Sequence, residues 1–433
     1  MITPLIVCAL ACVGLIVSVL VKPSVTVKNF TIDVYYLPAL AGGIFLLVSG
    51  VLPVKEAWAG LTASGAMNPL KILSLFLSLT FLSVFLDELG FFRKLADWLI
   101  ERVKGSQIKL FLCLYALVSV LTVFTSNDVV VLTFTPFICC FCKRERISPI
   151  PYLVAEFVAA NTWSMSLIIG NPTNVYLAGT RGVGFFEYFS AMWIPTVFAG
   201  VVALGVLFLL FRKKLKDPVS PQSERVEIWD KGLLVLGVVH LAACVVLLAL
   251  SAYIGWQMWI VAVLSAVSLI VCALGYCVLF GKRRRGAFMV LASAKRAPWS
   301  LVPFVLSMFL IVLSLQKCGV TGKIASFLNG DGALFSYGFA SFFASNVVNN
   351  IPMSVLFSGV LAEGGSLACV YATVVGSNLG ACFTPVGALA GIMWTGLLKK
   401  YDVRFGFKQF TLYGLAVSLP SLIAALLALA LVV

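Results

Sequence analysis

Apolar residues run along this chain in blocks broken by short polar or basic segments. A helix crosses a bilayer in roughly 20 residues at about 1.5 Å each, and many blocks have that length. The pattern predicts continuous spans near 2–22, 36–54, 72–90, 188–211, 232–250, 256–280, 298–316 and 409–432. Two further stretches, 150–180 and 366–398, are interrupted by Asn, Gly and Pro. Two more, 109–142 and 333–362, carry a polar tip at mid-length and are predicted to be re-entrant hairpins. The expected fold is an all-α polytopic membrane protein with about ten transmembrane helices, two of them broken, plus the two hairpins.

The interruptions come in pairs. Ser126-Asn127-Asp128 is matched at an offset of 219 by Ser345-Asn346, which is followed by Asn349-Asn350-Ile351-Pro352. Asn161-Thr162-Trp163-Ser164 runs on to Gly170-Asn171-Pro172-Thr173-Asn174. At an offset of 217, Ser377-Asn378-Leu379-Gly380 runs on to Thr384-Pro385-Val386-Gly387. Short amphipathic stretches, 89–99 and 318–328, precede the two hairpins and suit the membrane interface. These pairings divide the chain into an N-terminal helix outside the repeat (1–35) and a first repeat (36–211). A linker with an extra helix (212–255) and a second repeat (256–433) follow.

Charge sets the orientation. The chain is 61% hydrophobic and 11% charged, with a mean hydropathy of +1.07, far from a water-soluble domain. Its formal charge of +14 is dispersed through short loops rather than gathered into one patch, which excludes nucleic acid as a partner. With the N-terminus outside and both hairpins returning to the side they leave, 26 of the 31 Lys and Arg residues fall on the cytoplasmic side. A first hairpin that crossed fully would turn the basic loops 212–231 and 282–296 outward. The first hairpin then starts from the inside and the second from the outside, which makes the repeat inverted. The first segment lacks a basic n-region and a cleavage pattern, so it reads as a retained helix of a plasma-membrane protein.

Irregular backbone in a membrane survives only where protein or water satisfies its polar groups. The Pro172 and Pro385 breaks create half-helix ends whose N-termini attract anions and whose freed carbonyls suit cations. Asn171 and Asn174 either bind a solute or cap the broken ends. Asp128 lies at a hairpin tip ahead of Val129-Val130-Val131-Leu132, and a carboxylate in such a run marks a proton or cation coupling group, or else a helix cap. Glu156 precedes the first break, near the cytoplasmic surface. Asp87 and Glu88 end a span beside Arg93 and Lys94, as solvated interfacial groups do. The twelve cysteines sit mostly in apolar runs, and Cys139, Cys140 and Cys142 lack the second pair or histidine of a metal site. His240, the single histidine, reads as a packing residue. Neither a phosphate loop nor a zinc or Ser/His motif is present, which argues against an enzyme and against a cofactor.

The tip segments through Pro136 and Pro352, with the two broken segments, resemble the ion-transporter superfamily, especially the arsenical pump membrane protein family. Sodium/proton antiporters and citrate or dicarboxylate carriers are its relatives. The resemblance spans about 36 to 433. It implies a scaffold and a transport domain, with the solute held between both tips and both broken helices, and elevator-like movement. The implied site comprises Ser126, Asn127, Asp128, Asn161, Gly170, Asn171, Pro172, Thr173, Asn174, Ser345, Asn346, Asn349, Asn350, Ser377, Asn378, Thr384, Pro385 and Gly387. The implied activity is ion-coupled secondary transport of a small anion or metalloid oxyanion such as arsenite or antimonite. A sodium/proton antiporter or a di- or tricarboxylate carrier is the alternative. The partners are the lipid bilayer and the solute; a homodimer and an ATPase subunit stay open.

Overall fold

A computed structural model describes residues 2–21, 24–27, 30–63, 68–103, 105–179, 181–216, 228–251, 253–281 and 283–433. Most of the linker between the halves, 217–227, lies outside the described residues. The first half contains helices Ile2–Val21, Leu37–Val48, Val54–Leu61, Pro69–Glu88, Phe91–Val103, Gln107–Phe124, Asn127–Arg144, Ile150–Trp163, Pro172–Gly179 and Phe185–Phe211. The second contains Lys231–Leu250, Met258–Leu279, Arg283–Arg296, Leu301–Lys317, Val320–Leu328, Ala333–Val348, Asn350–Ala362, Leu367–Gly380, Leu389–Lys400 and Phe407–Val432. The two series run in parallel. Ile2–Val21 and Lys231–Leu250, set apart by the sequence reading, hold the same first place in each, both packed on the helix that follows them.

Three local differences from the sequence reading have simple causes. The span expected at 36–54 stops at Val48, because Gly50 takes a φ of 74° and Pro53 forces a turn before the short helix Val54–Leu61. The basic stretch expected as a loop at 282–296 is the helix Arg283–Arg296, since it holds no breaker apart from Gly286. Between the first two helices, Ser24–Val27 and Phe30–Asp33 form an antiparallel β-hairpin with Ser24 opposite Asp33. Its β-branched residues favour extended backbone over helix.

Packing sorts the chain by polarity. Phe185–Phe211 lies on Phe407–Val432, and the lipid-facing flanks of such helices expose Val201, Leu209, Leu412 and Leu427. The broken helices are inside: Ile150–Trp163 packs on Gln107–Phe124, and Leu367–Gly380 on Ala333–Val348. Each predicted hairpin is a pair of helices joined by a break of one or two residues. The return arms then cross between halves. Asn127–Arg144 packs on Leu389–Lys400, and Asn350–Ala362 on Pro172–Gly179. That exchange brings both tips and both breaks to the centre.

Candidate functional site

At the first tip Thr125 and Ser126 are extended, and the Asp128 N–H donates to Ser126 Oγ at 3.3 Å. At the second tip Asn349 holds the same capping position, its Oδ1 accepting from the Ile351 N–H at 3.4 Å. Its φ of 74° is a strained value for a residue with a side chain, and its amide compensates by donating to the Val386 carbonyl at 2.8 Å. The positional partner of Ser126-Asn127 is therefore Asn349-Asn350. Ser345 and Asn346 lie within the last turns of Ala333–Val348, not at the tip. Ser345 Oγ bonds back to the Ser341 carbonyl at 2.8 Å. Asn346 serves the second break: its amide donates to Gly380 O at 3.0 Å, and its Oδ1 accepts from Thr384 N at 3.0 Å and Thr384 Oγ1 at 2.7 Å.

The two broken helices are tied together by Asn378. Its Oδ1 accepts from Asn171 Nδ2 at 3.0 Å and lies 2.9 Å from Ser164 Oγ, while its Nδ2 donates to Asn174 Oδ1 at 2.7 Å. Asn174 in turn donates to the freed carbonyls of Ser164 at 2.8 Å and Leu167 at 3.0 Å. Asn171 Oδ1 accepts from the Thr173 N–H at 3.2 Å, which caps the helix that Pro172 opens. Asn161 and Asn378 make the same bond within their own helices, to the carbonyls of Phe157 at 2.8 Å and Val374 at 2.9 Å. Asn127 Nδ2 reaches Asn161 Oδ1 at 3.2 Å, joining the first tip to the first broken helix.

Two glycines permit this closeness. A Cβ on Gly387 would sit 2.7 Å from Asn346 Oδ1 and 2.8 Å from the Gly380 carbonyl oxygen, and one on Gly170 would collide with the Ser164 carbonyl. Among the described residues, four buried oxygens around these elements have no hydrogen-bond partner: Asn127 Oδ1, Thr162 Oγ1, Asn350 Oδ1 and Ser377 Oγ. Buried polar groups are nearly always paired, so these four, one on each return arm and one on each broken helix, are open acceptors. Pro385 lies inside the second break, and the helix after it, Leu389–Lys400, begins without a side-chain cap.

Asp128 is 6% exposed, and among the described residues its carboxylate makes no hydrogen bond or ion pair. It faces a cavity of about 580 Å³ whose walls include Tyr35, Thr80, Lys295, Arg296 and Ser300, with Leu389 and Ile392 of the second broken helix. Ser300 Oγ links Asp33 Oδ2 at 2.8 Å to the Tyr35 hydroxyl at 2.9 Å on one wall. None of these wall residues carries a sequence signal of its own, except Thr80, a hydroxyl in the middle of an apolar helix.

Other acidic residues sit differently from the sequence reading. Glu156 is fully buried, accepting from Thr135 Oγ1 at 3.2 Å and Trp394 Nε1 at 3.2 Å. It thus joins the first return arm, the first broken helix and the second half of the other. Asp87 and Glu88 pair with Arg296 at 2.7 and 2.6 Å rather than with Arg93 and Lys94, and Asp87 is buried. Lys94 pairs with Asp97 instead, at 3.7 Å. His240 lies 2.8 Å from the Leu236 carbonyl and 3.2 Å from Ser268 Oγ, a bond between helices. Among the described residues no group of three or more His, Cys, Asp or Glu side chains is placed to hold a metal ion.

Apolar flanks, seven helices among the described residues that are long and apolar enough to cross a membrane, and a buried centre of broken, Asn-rich helices define a multi-pass membrane transporter. The comparisons narrow the class. A family model described as "Citrate transporter" (CitMHS) matches residues 35–370. The "Arsenical pump membrane protein" of Escherichia coli (strain K12) is 30% identical over 416 residues, covering 91% of this chain and 92% of that protein. The Alcanivorax borkumensis YdaH transporter superposes over 99% of this chain and 98% of its own, with a TM-score of 0.55 at 15% identity. Neisseria gonorrhoeae MtrF gives 0.51 at 15% identity, over 99% and 94% of the two chains. At such identities the solved structures establish a shared fold. The chain belongs to the CitMHS family of membrane transporters, with the arsenical pump membrane proteins among its relatives.

Proposed function

We propose that this chain is a secondary active transporter of a small anion or metalloid oxyanion, arsenite- or antimonite-like, coupled to an ion gradient through Asp128. The observation that carries the reading is a buried carboxylate without a partner among the described residues, facing a cavity walled by the first tip and the second broken helix. The open oxygens of Asn127, Thr162, Asn350 and Ser377 supply acceptors for a hydroxylated solute, and the uncapped start of Leu389–Lys400 supplies N–H donors. The relative named as an arsenical pump membrane protein supports this solute class.

The two helix series are read as inverted repeats, with Ile2–Val21 and Lys231–Leu250 as counterparts inside them. Alternating access then moves the tips and breaks as one body against the helices that carry Thr80 and Ser300, with the N-terminus outside. The family model's description favours a second reading, a di- or tricarboxylate carrier, and Lys295 on the cavity wall suits its charge.

Flux of arsenite, antimonite and citrate into proteoliposomes, with and without imposed proton and sodium gradients, tests the proposal. Gradient-driven arsenite or antimonite flux that Asp128→Asn abolishes supports it. Citrate flux instead supports the carboxylate reading. Gradient-driven flux unchanged in Asp128→Asn removes that residue from the mechanism.

A further inference from the structure

Glu156 is a buried carboxyl group that coupling through Asp128 leaves unused. It sits on Ile150–Trp163, and its partners come from two other helices: Thr135 on Asn127–Arg144 and Trp394 on Leu389–Lys400, each at 3.2 Å. The same two helices wall the Asp128 cavity, with Asp128 and Leu132 on one and Ile392, Met393 and Gly396 on the other. Leu132 lies three residues before Thr135, and Met393 is the neighbour of Trp394. Glu156 thus holds from behind the seam whose front is the cavity wall. The seam is thin at Gly396, where an added Cβ would meet nothing within 4 Å. Glu156 also has no cation beside it. Gln107–Phe124, Phe185–Phe211, Leu367–Gly380 and Phe407–Val432 pack on its helix, and none brings an ionisable side chain into hydrogen-bond or ion-pair distance of it among the described residues. Cys139, one turn beyond Thr135, is close enough to feel its charge. Tyr152, one turn back, donates to Gln107 at 2.9 Å instead, and Lys399 and Lys400 at the far end of Leu389–Lys400 are exposed.

We propose that Glu156 is a second proton-binding group of the transport cycle, loaded from the Asp128 cavity through the seam between Asn127–Arg144 and Leu389–Lys400. A glutamine there would accept from Thr135 and Trp394 equally well and bring no charge to bury. A carboxyl group shut away from cations within a membrane helix is accounted for by the proton it can hold. The step is a protonation alone: the carboxylate takes a proton from water in the cavity when the seam opens, and later returns it to water. The contacts suit both states. The carboxylate accepts from both donors, and the neutral acid can donate to Thr135 Oγ1, a hydroxyl that also accepts, while still accepting from Trp394 Nε1. This inference rests on the reading of the chain as an ion-coupled transporter and not on which solute is carried.

Two measurements on the full chain in liposomes test it. Infrared difference spectra between acid and alkaline buffer record the C=O stretch of buried carboxylic acids as they ionise. Glu156→Gln is expected to delete one component of the wild-type band, and Asp128→Asn a different one. The proton-to-solute ratio is then measured at balanced gradients with arsenite, antimonite and citrate as the solutes tried. A lower ratio in Glu156→Gln than in wild type, or loss of its gradient-driven flux together with the missing band component, supports the proposal. A band unchanged in Glu156→Gln, or an unchanged ratio, overturns it and leaves Glu156 as a structural tie between helices. Should Glu156→Gln fail to fold, Trp394→Phe decides: it removes one donor and keeps the carboxyl group, so the Glu156 component should shift along the pH axis, and an unmoved band overturns the proposal. Wild type that carries none of the three solutes defeats the transporter reading, whereas the spectra still show whether Glu156 binds a proton.

Discussion

Asn378→Ala is the most informative perturbation, because this side chain closes the contact between the two broken helices. The substitution removes bonds to Ser164 Oγ, Asn171 Nδ2 and Asn174 Oδ1 across the interface, and one to Val374 within its own helix. Ser164 keeps an acceptor in the Asn161 carbonyl at 2.9 Å. Asn171 Nδ2 loses the partner it has here, and Asn174 Oδ1 keeps only Thr173 Oγ1 at 3.5 Å. Leaving two buried groups without good partners costs about 2–6 kcal/mol by the measure of water-soluble proteins. Hydrogen bonds between membrane helices average about 0.6 kcal/mol, so three of them give roughly 2 kcal/mol. The two estimates meet at about 2 kcal/mol, which is the expected loss. Equilibrium unfolding in mixed micelles of increasing denaturing detergent measures it. A double-mutant cycle with Asn171→Ala should show coupling of about 1 kcal/mol or more, because each residue removes the other's partner. A loss for Asn378→Ala below about 0.5 kcal/mol, or additive single mutants, would refute the claim that this asparagine joins the halves.

Gly387→Ala and Gly170→Ala should each destabilise by about 1–3 kcal/mol and abolish transport, since both Cβ atoms meet backbone carbonyls that cannot swing away; Gly205→Ala and Gly275→Ala, with open space around them, are the controls in the same thermal unfolding assay. Asn349→Gly should be less destabilising than Asn349→Ala, because both lose the caps to Ile351 and Val386 but only glycine is relieved of strain at a φ of 74°. Arg296→Gln should cost about 1–3 kcal/mol by leaving Asp87 buried without its cation, and Asp87→Asn in the same chain should recover part of that loss. Lys317→Gln, which breaks a half-exposed pair with Glu56, should stay below about 1 kcal/mol in the same unfolding measurement.

What the sequence shows and what it hides follow from the range of the interactions involved. The spans and breaks were legible because a bilayer imposes length and polarity on every segment separately. The pairing of Asn161 with Asn378 was legible too, since each makes the same bond one helical turn back and each precedes a glycine in a tight break. The pairing of the tips was misleading. A recurring Ser-Asn pointed to Ser345-Asn346, whereas the register is set by where the first arms end, at Phe124 and Val348. Partners distant in sequence gave no signal: Arg296 meets Asp87 across 209 residues, whereas the sequence reading places Asp87 as a solvated interfacial group. The same limit hid Trp394 as a donor to Glu156, 238 residues away. The β-hairpin at Ser24–Asp33 was missed because two strands of four residues sit between helices and pair only with each other.

Asp128 has two readings from the sequence, a helix cap or a coupling group, and the geometry speaks to the first. The capping position belongs to Ser126, whose Oγ accepts from the Asp128 N–H, and the Asp128 carboxylate accepts from no backbone N–H among the described residues. Its one structural gain is position in the first turn of Asn127–Arg144, where a negative charge gains about 0.3–1 kcal/mol from the helix dipole. The other half shows what the fold itself demands there. The residue after Asn350 is Ile351, buried and apolar, and its helix starts as well as the first. A carboxylate is therefore not needed to build a tip. Asp128→Asn keeps the size and the backbone of the first tip while removing the charge, so its stability should change by about 1 kcal/mol or less. Loss of gradient-driven flux from a variant that unfolds within that margin would assign the effect to the charge in the cavity. Equal loss of flux and of several kcal/mol of stability would return Asp128 to the scaffold.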